Sequence, residues 1–222
     1  MERRRLLDLP SEYTRLNYIQ PSGNARIDTE VYYNVDDLTI KGDFLFTENS
    51  NRYYPFFLGY EGLLSTNGRV CFVGFNFSVN PAAISFCNTY TSQSAFGMNF
   101  RFSLNTWYNY EYRMKNGSLV AIVDGTTVAP SVSYTFFNVT SKSIPIFTAY
   151  SPYTNEYRSN IALNSKVSYF QFIKSGVLIR DFVAAQRNAD GVVGMYDLCG
   201  TICPLTGTPF YINAGSGTFI GG

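Results

Sequence analysis

"TWYNYEYRMKNGSLVAIVDGTTV" (residues 106–128) decides the fold. Within it, Trp107, Asn109, Glu111 and Arg113 face one way, and Tyr108, Tyr110, Tyr112 and Met114 the other. A period of two belongs to a half-buried β-strand, whose successive side chains point to opposite faces. Asn116-Gly117 then precedes VAIV, and Asp124-Gly125 closes it. Both dipeptides tolerate the positive φ of a two-residue hairpin turn, so the stretch reads as a β-meander with two defined corners.

The same pattern extends outward. LTIKGDFLFTE (38–48) places Leu38, Ile40, Gly42, Phe44 and Phe46 on one face, and RVCFVGFNFSV (69–79) aligns Val73, Phe75, Phe77 and Val79. IPIFTAY (144–150) and SKVSYFQFIKSGVLIRDFV (165–183) add further strands. In the second of these, Val167, Tyr169, Gln171 and Ile173 alternate with Ser168, Phe170 and Phe172 before KSG turns the chain. Short strands separated by turn signals roughly every ten residues predict an all-β sandwich or barrel. Composition agrees: 19 Phe and 18 Tyr stand against a single Trp, and aromatic rings suit a pleated, half-buried surface. No amphipathic helix longer than about two turns is visible, nor a linker or solenoid repeat. The expected organisation is a basic arm over residues 1–12 and one domain over 13–222. The glycine-rich end, NAGSGTFIGG, carries Phe219 and Ile220 and is expected to pair as a last short strand.

Net charge is +1, too small to gather nucleic acid, anionic membrane or acidic substrates by a long-range field. Arg3, Arg4 and Arg5 are a local exception and read as a solvated terminal arm. No run approaches the ~20 apolar residues of a membrane span. LLDLP, after the arginines, is too short and broken for a signal-peptide core, so folding in a cytoplasm is expected.

The chain has no histidine, which excludes Ser-His-Asp and Cys-His catalysis. Its four cysteines, at 71, 87, 199 and 203, lack the two closely spaced pairs of a zinc site and the C-x-x-C of a redox motif. Cys71 and Cys87 lie in apolar runs and read as small buried hydrophobes. For Cys199 and Cys203, a local disulfide and two thiols are both sterically reasonable, and cytoplasmic synthesis favours thiols at first. Glycoside hydrolysis needs two carboxylates on one face, which a strand supplies at i and i+2 or i+4. Asp28 and Glu30 are the nearest such pair, while Asp36 and Asp37 are adjacent and point apart. Each reads first as a turn or strand-end acid. No Gly-rich phosphate loop opens a helix.

Two stretches carry a family resemblance. LPSEYTRLNYIQPSGNARIDTEV, near the start, resembles the opening of a laminin-G-like, concanavalin-A-like domain found in Bacteroides-type gut bacteria and their phages. IRDFVAAQRNADGVVGMYDLCGTICPLTGTPFYINAGSGTFIGG is similar to that family's ending, with its "RDF", "DG-x-x-G-x-YD" and "F-Y-x-N-x-G-x-G-x-F". The resemblance spans residues 9–222 and implies a two-sheet antiparallel jelly-roll sandwich whose first and last segments lie side by side. It places Cys199 and Cys203 in a widened hairpin loop, where a local disulfide or plain packing fits and no catalytic role does. Relatives with glucanase activity carry a Glu-x-Asp-x-x-Glu run, absent here, and Glu30 stands where the family often has glycine. Laminin-G relatives often hold calcium at a sheet rim; Asp36, Asp37 and Asp190 are the residues to consider, but no ligand spacing demands it and no cofactor is expected.

Jelly rolls without catalytic acids mostly recognise glycans or proteins. The loop aromatics that no alternation assigns to a core are Tyr53, Tyr54, Tyr90, Tyr150, Tyr153 and Tyr157, with Arg52, Asn155 and Arg158 beside them. Loops on rigid scaffolds carry function disproportionately, so these are the expected ligand contacts. The expectation is a non-enzymatic virion surface protein, a capsid or tail decoration, that adheres to a glycan on the bacterial surface. Arg3, Arg4 and Arg5 would strap it to other virion proteins, and a symmetric homo-oligomer suits such an appendage; nucleic acid and membrane are not expected partners. A bacterial cell-surface adhesin module is the alternative, and a glycoside hydrolase of the same fold a more distant one.

Overall fold

The computed structural model describes residues 8–33, 37–47, 56–60, 71–76, 83–87, 95–97, 103–116, 118–133, 139–148, 150–151, 156–157 and 165–222. Every regular element among them is a β-strand. The first are β1 (Tyr13–Arg15), β2 (Ile19–Gly23), β3 (Ile27–Tyr33), β4 (Asp37–Phe46), β5 (Phe56–Tyr60), β6 (Cys71–Asn76) and β7 (Ala83–Cys87). Then come β8 (Ala95–Gly97), β9 (Tyr108–Lys115), β10 (Ser118–Val123), β11 (Thr126–Ser133), β12 (Val139–Ile146), β13 (Tyr150–Ser151) and β14 (Glu156–Tyr157). The chain closes with β15 (Ser165–Lys166), β16 (Tyr169–Lys174), β17 (Val177–Arg187), β18 (Val193–Asp197), β19 (Phe210–Tyr211) and β20 (Gly217–Gly221).

Among the described residues these form three sheets. The larger has the order β11-β10-β9-β4-β16-β17-β18-β19, with β1 also on β17 and β15 also on β4. The smaller runs β14-β13-β5-β6-β7-β8, and β12 joins β5 to β3. β2 and β20 make a two-stranded ribbon. Pairing is antiparallel throughout, apart from one parallel bridge between Tyr150 and Tyr60.

The expected corners are present. Asn116 has φ 50°, and the Asp124-Gly125 pair has φ 46° and 77°. A third corner at Ser175-Gly176 has φ 48° and 79°. Both central residues of such a turn need positive φ, the geometry that matches strand twist. The ladders run right up to the turns, with Lys115 opposite Ser118, Val123 opposite Thr126 and Lys174 opposite Val177.

Alternation fills the core as the sequence predicts. Leu38, Ile40, Phe44 and Phe46 of β4 are buried with Tyr108, Tyr110, Tyr112 and Met114 of β9. They share one cluster with Phe170, Phe172 and Phe182 and with Ile27, Val31, Ile144 and Ile146 of the smaller sheet. Each fully buried ring or aliphatic chain contributes roughly 1.5–3 kcal/mol. The opposite face of β4 and β9 is polar, with Glu111 bridged to Lys41 and Arg113. Burial alone would raise the Glu111 carboxyl, but the Arg113 hydrogen bond and the Lys41 charge outweigh it and hold the group below its ordinary value.

One strand departs from the simple pattern. Val167 was expected on the face of Tyr169, yet it is fully buried along with Phe170 and Phe172. The register explains this: Lys166 pairs with Leu45 but Phe170 with Gly42, so the later strand has one residue more. That extra residue is absorbed at Ser168, where the Asp43 carboxylate accepts the N–H groups of Ser168 (2.8 Å) and Tyr169 (3.3 Å) and the Ser168 hydroxyl. Asp43 replaces the ladder bonds that a bulge forfeits.

Gly42 is required by its neighbour across the ladder. A Cβ there would stand 2.6 Å from the Tyr110 hydroxyl and 2.9 Å from the Tyr169 carbonyl oxygen. Gly42→Ala should therefore lower the urea-unfolding free energy by about 1–3 kcal/mol. Adding Tyr110→Phe, which removes the colliding oxygen, should restore part of the loss; strict additivity of the two changes in the same urea titration would contradict this packing.

Candidate functional site

Of the loop residues expected to contact ligand, Arg52, Tyr53, Tyr54, Tyr90, Tyr153, Asn155 and Arg158 lie outside the described residues, as do Arg3, Arg4 and Arg5. Tyr150 and Tyr157 are described, and they pair directly across the β13–β14 ladder. That ladder abuts β5 through Tyr150 and Tyr60. Of the expected arm, Ser11 and Glu12 are tied down, because Asn188 donates its side-chain amide to the Ser11 carbonyl and its backbone N–H to that of Glu12.

The half-buried Tyr157 ring meets a residue that sequence reasoning did not single out. The Arg26 guanidinium carbon lies 3.7 Å from the Tyr157 ring centroid, a cation–π stack. Arg26 Nε also donates to Asp28 Oδ1 at 3.1 Å. Strand alternation sets this up: Ala25, Ile27, Thr29 and Val31 are buried, so Arg26 and Asp28 project from the other face. The end of the chain holds Arg26 from behind. Asn213 Oδ1 accepts the Arg26 N–H at 2.9 Å and the Gly215 N–H at 2.8 Å, while Asn213 Nδ2 donates to the carbonyls of Gly215 (2.9 Å) and Gly217 (2.8 Å). Ala214 N–H donates to the Arg26 carbonyl at 2.9 Å. An aromatic ring, a guanidinium, a carboxylate and an amide thus converge where β3, β14 and the C-terminal segment meet. No single local motif announces Arg26; the available signal was that the opening and closing motifs of the chain lie side by side.

Both members of the acid pair weighed in the sequence have partners. Asp28 takes Arg26, and Glu30 Oε2 accepts the Tyr32 hydroxyl at 3.0 Å. That bond, more than the Glu30 charge, raises the Tyr32 phenol above its ordinary value. Glu30 has φ 57°, in the left-handed region that glycine adopts at least cost. Arg180 braces the irregular backbone, its Nε donating to the Thr29 carbonyl at 3.1 Å and Nη1 to Thr201 Oγ1 at 3.0 Å.

The cysteine loop is structural in character. Cys199 and Cys203 are both free thiols, the first exposed and the second buried. The fully buried Asp197 organises the turn, Oδ1 accepting the N–H groups of Asp181 (2.8 Å) and Cys199 (3.0 Å), with Arg180 Nε 3.8 Å from Oδ2. Cys203 caps a tight turn by accepting from Gly207 N–H at 2.9 Å and exchanges a bridge with Thr208. Cys71 and Cys87 fall within β6 and β7, as their apolar surroundings predict.

Among the described residues no three acidic or sulfur side chains gather to hold a metal ion. Of the calcium candidates, Asp37 pairs with Lys115 at 3.0 Å and Asp190 with Arg187 at 2.6 Å, and Asp36 lies outside the described residues. No protein-family model matches the chain, and no curated protein matches it in sequence.

The Cys199 thiol, although exposed, is pushed up to about 11, first by desolvation and then by the Asp197 and Asp181 charges. The thiolate is the nucleophile, and only about 0.1 % of the thiol is in that form at pH 8. Iodoacetamide should label Cys199 slowly at pH 8 and progressively faster toward pH 11. A fast, pH-independent rate between pH 7 and 9 would contradict this environment.

Proposed function

We propose that the protein is a concanavalin-A-like jelly roll of the laminin-G-like kind, displayed on a virion surface, that adheres to host-cell glycans without catalysing a reaction. The observation that carries the glycan reading is the meeting of Tyr157, Arg26, Asp28 and Asn213 at one sheet rim. Sugars present C–H faces to aromatic rings and hydroxyls to carboxylates and guanidinium groups; Tyr157, Asp28 and Arg26 are groups of these kinds, and Asn213 holds the Arg26 backbone. Tyr150 and Tyr157 pair across a ladder, and Tyr153 and Asn155 lie between them in sequence.

The non-catalytic reading follows from the acids. The best-spaced pair, Asp28 and Glu30, is committed to Arg26 and to Tyr32. A glycosidase needs one carboxyl free to protonate the leaving oxygen and another free to attack or to activate water. Display on a virion rests on the resemblance of the two terminal motifs, and the basic arm would serve attachment.

Purified protein should bind intact gut bacteria that carry capsular polysaccharide and lose that binding on acapsular strains. Tyr153→Ala should weaken capsule-dependent binding roughly tenfold, the scale of one lost aromatic anchor. The capsule should release no reducing ends on prolonged incubation. Binding that ignores the capsule would contradict the adhesion reading, and steady release of reducing ends the non-catalytic one.

A further inference from the structure

We infer that the glycan is acidic, and that the Nη edge of Arg26 receives a sugar carboxylate. The inference rests on the glycan reading above and specifies its ligand class. A guanidinium offers five N–H donors in a rigid plane. Arg26 spends the one on Nε on Asp28 and lays its plane on Tyr157. Among the described residues no protein acceptor takes an N–H from Nη1 or Nη2, although the side chain is only 17 % exposed. A charged fork so far withdrawn from water and so partly satisfied is costly unless a further acceptor meets it.

Gly215 lies beside that edge. A Cβ on Gly215 would stand 3.1 Å from Arg26 Nη1, and it would also collide with the Asn24 carbonyl oxygen. Any side chain at 215 would crowd Nη1, so only glycine there leaves room on that side, while Asn213 fixes the backbone at both Arg26 and Gly215. Stacking and the Asp28 bond already hold the guanidinium plane, so little side-chain freedom is left to lose when a ligand docks. Two parallel N–H donors match the two oxygens of a carboxylate.

Asp28 sets the character of this recognition. Because it neutralises Arg26, this pair carries no net positive charge to draw an anion from a distance. Affinity for the carboxylate then comes from short-range paired hydrogen bonds, and its salt dependence is shallow. A site working by general cationic attraction would instead lose binding steeply with salt and prefer the most highly charged polymer.

The test uses the whole chain, titrated with oligogalacturonate, hyaluronan and polysialate, with the carboxyl-reduced form of each, and with dextran sulfate. The expected result is binding to at least one carboxylate-bearing chain, roughly tenfold or more tighter than to its carboxyl-reduced form. That preference should persist from 50 to 300 mM salt and vanish in Arg26→Gln, with Arg26→Lys retaining little of it. The comparison of native with reduced polymer needs no variant, so it stands even if Arg26 variants fold poorly. Equal binding to native and reduced forms overturns the acidic-glycan inference and leaves the adhesion reading intact. Dextran sulfate binding as tightly as the carboxylates overturns the assignment to a carboxylate. Binding to none of these polymers, together with none to encapsulated cells, overturns both readings.

Discussion

Four hydrogen bonds on one amide shape the end of this chain and tie it to its beginning, three of them within residues 213–217 and one from the Arg26 N–H. Asn213 accepts from Arg26 and Gly215 through Oδ1 and donates to Gly215 and Gly217 through Nδ2, so every hydrogen-bonding capacity of the side chain is used. The turn it builds aims β20 along β2, where Pro21 lies opposite Phe219. Phe219 is thereby delivered to the core, its ring 5.4 Å from that of Phe147. There is no room for side chains in this closure: a Cβ on Gly217 would strike the Ser22 carbonyl oxygen, and one on Gly215 that of Asn24. Closure of the two ends and placement of Arg26 are the same event, since one Asn213 oxygen serves both.

The remainder of the fold is a conventional trade of aromatic burial against chain entropy, with polar groups admitted only where they repair the backbone. Asp43 repairs the bulge at Ser168, and Asp197 the turn at Cys199. Arg180 supports the irregular strand at Thr29 and Glu30 and stands beside Asp197. All are part-buried or buried acids and bases, of the kind that attracts a catalytic reading, yet each satisfies backbone groups; Asp197 Oδ2, without a hydrogen bond, has Arg180 Nε 3.8 Å away. The Arg26 cluster differs because, among the described residues, no backbone or side-chain acceptor takes its Nη donors.

Much of the fold was legible in the sequence because its signals are local. Alternation over residues 108–114 and the Asp-Gly and Ser-Gly corners need only neighbouring residues to act, and all appear in the structure as read. What was not legible depends on partners distant in the chain. The face of Val167 was misassigned because Asp43, 125 residues before Ser168, captures the backbone and inserts a residue into the ladder. Arg26 escaped notice for the same reason: its neighbours Asn213 and Tyr157 are brought to it only by closure of the sheets. Of the loop aromatics, Tyr157 turns out to carry an arginine on one face, which makes it a support for that arginine as much as a ligand platform.

The most direct test of the clasp is amide hydrogen exchange on Asn213→Ala. If the clasp organises both ends, protection should fall together at Arg26, along Ile19–Gly23 of β2 and along Gly217–Gly221 of β20, while the β4–β9 ladder keeps its protection. Loss confined to residues 213–217, with β2 and β20 still protected, would contradict the claim that this one amide joins the two ends.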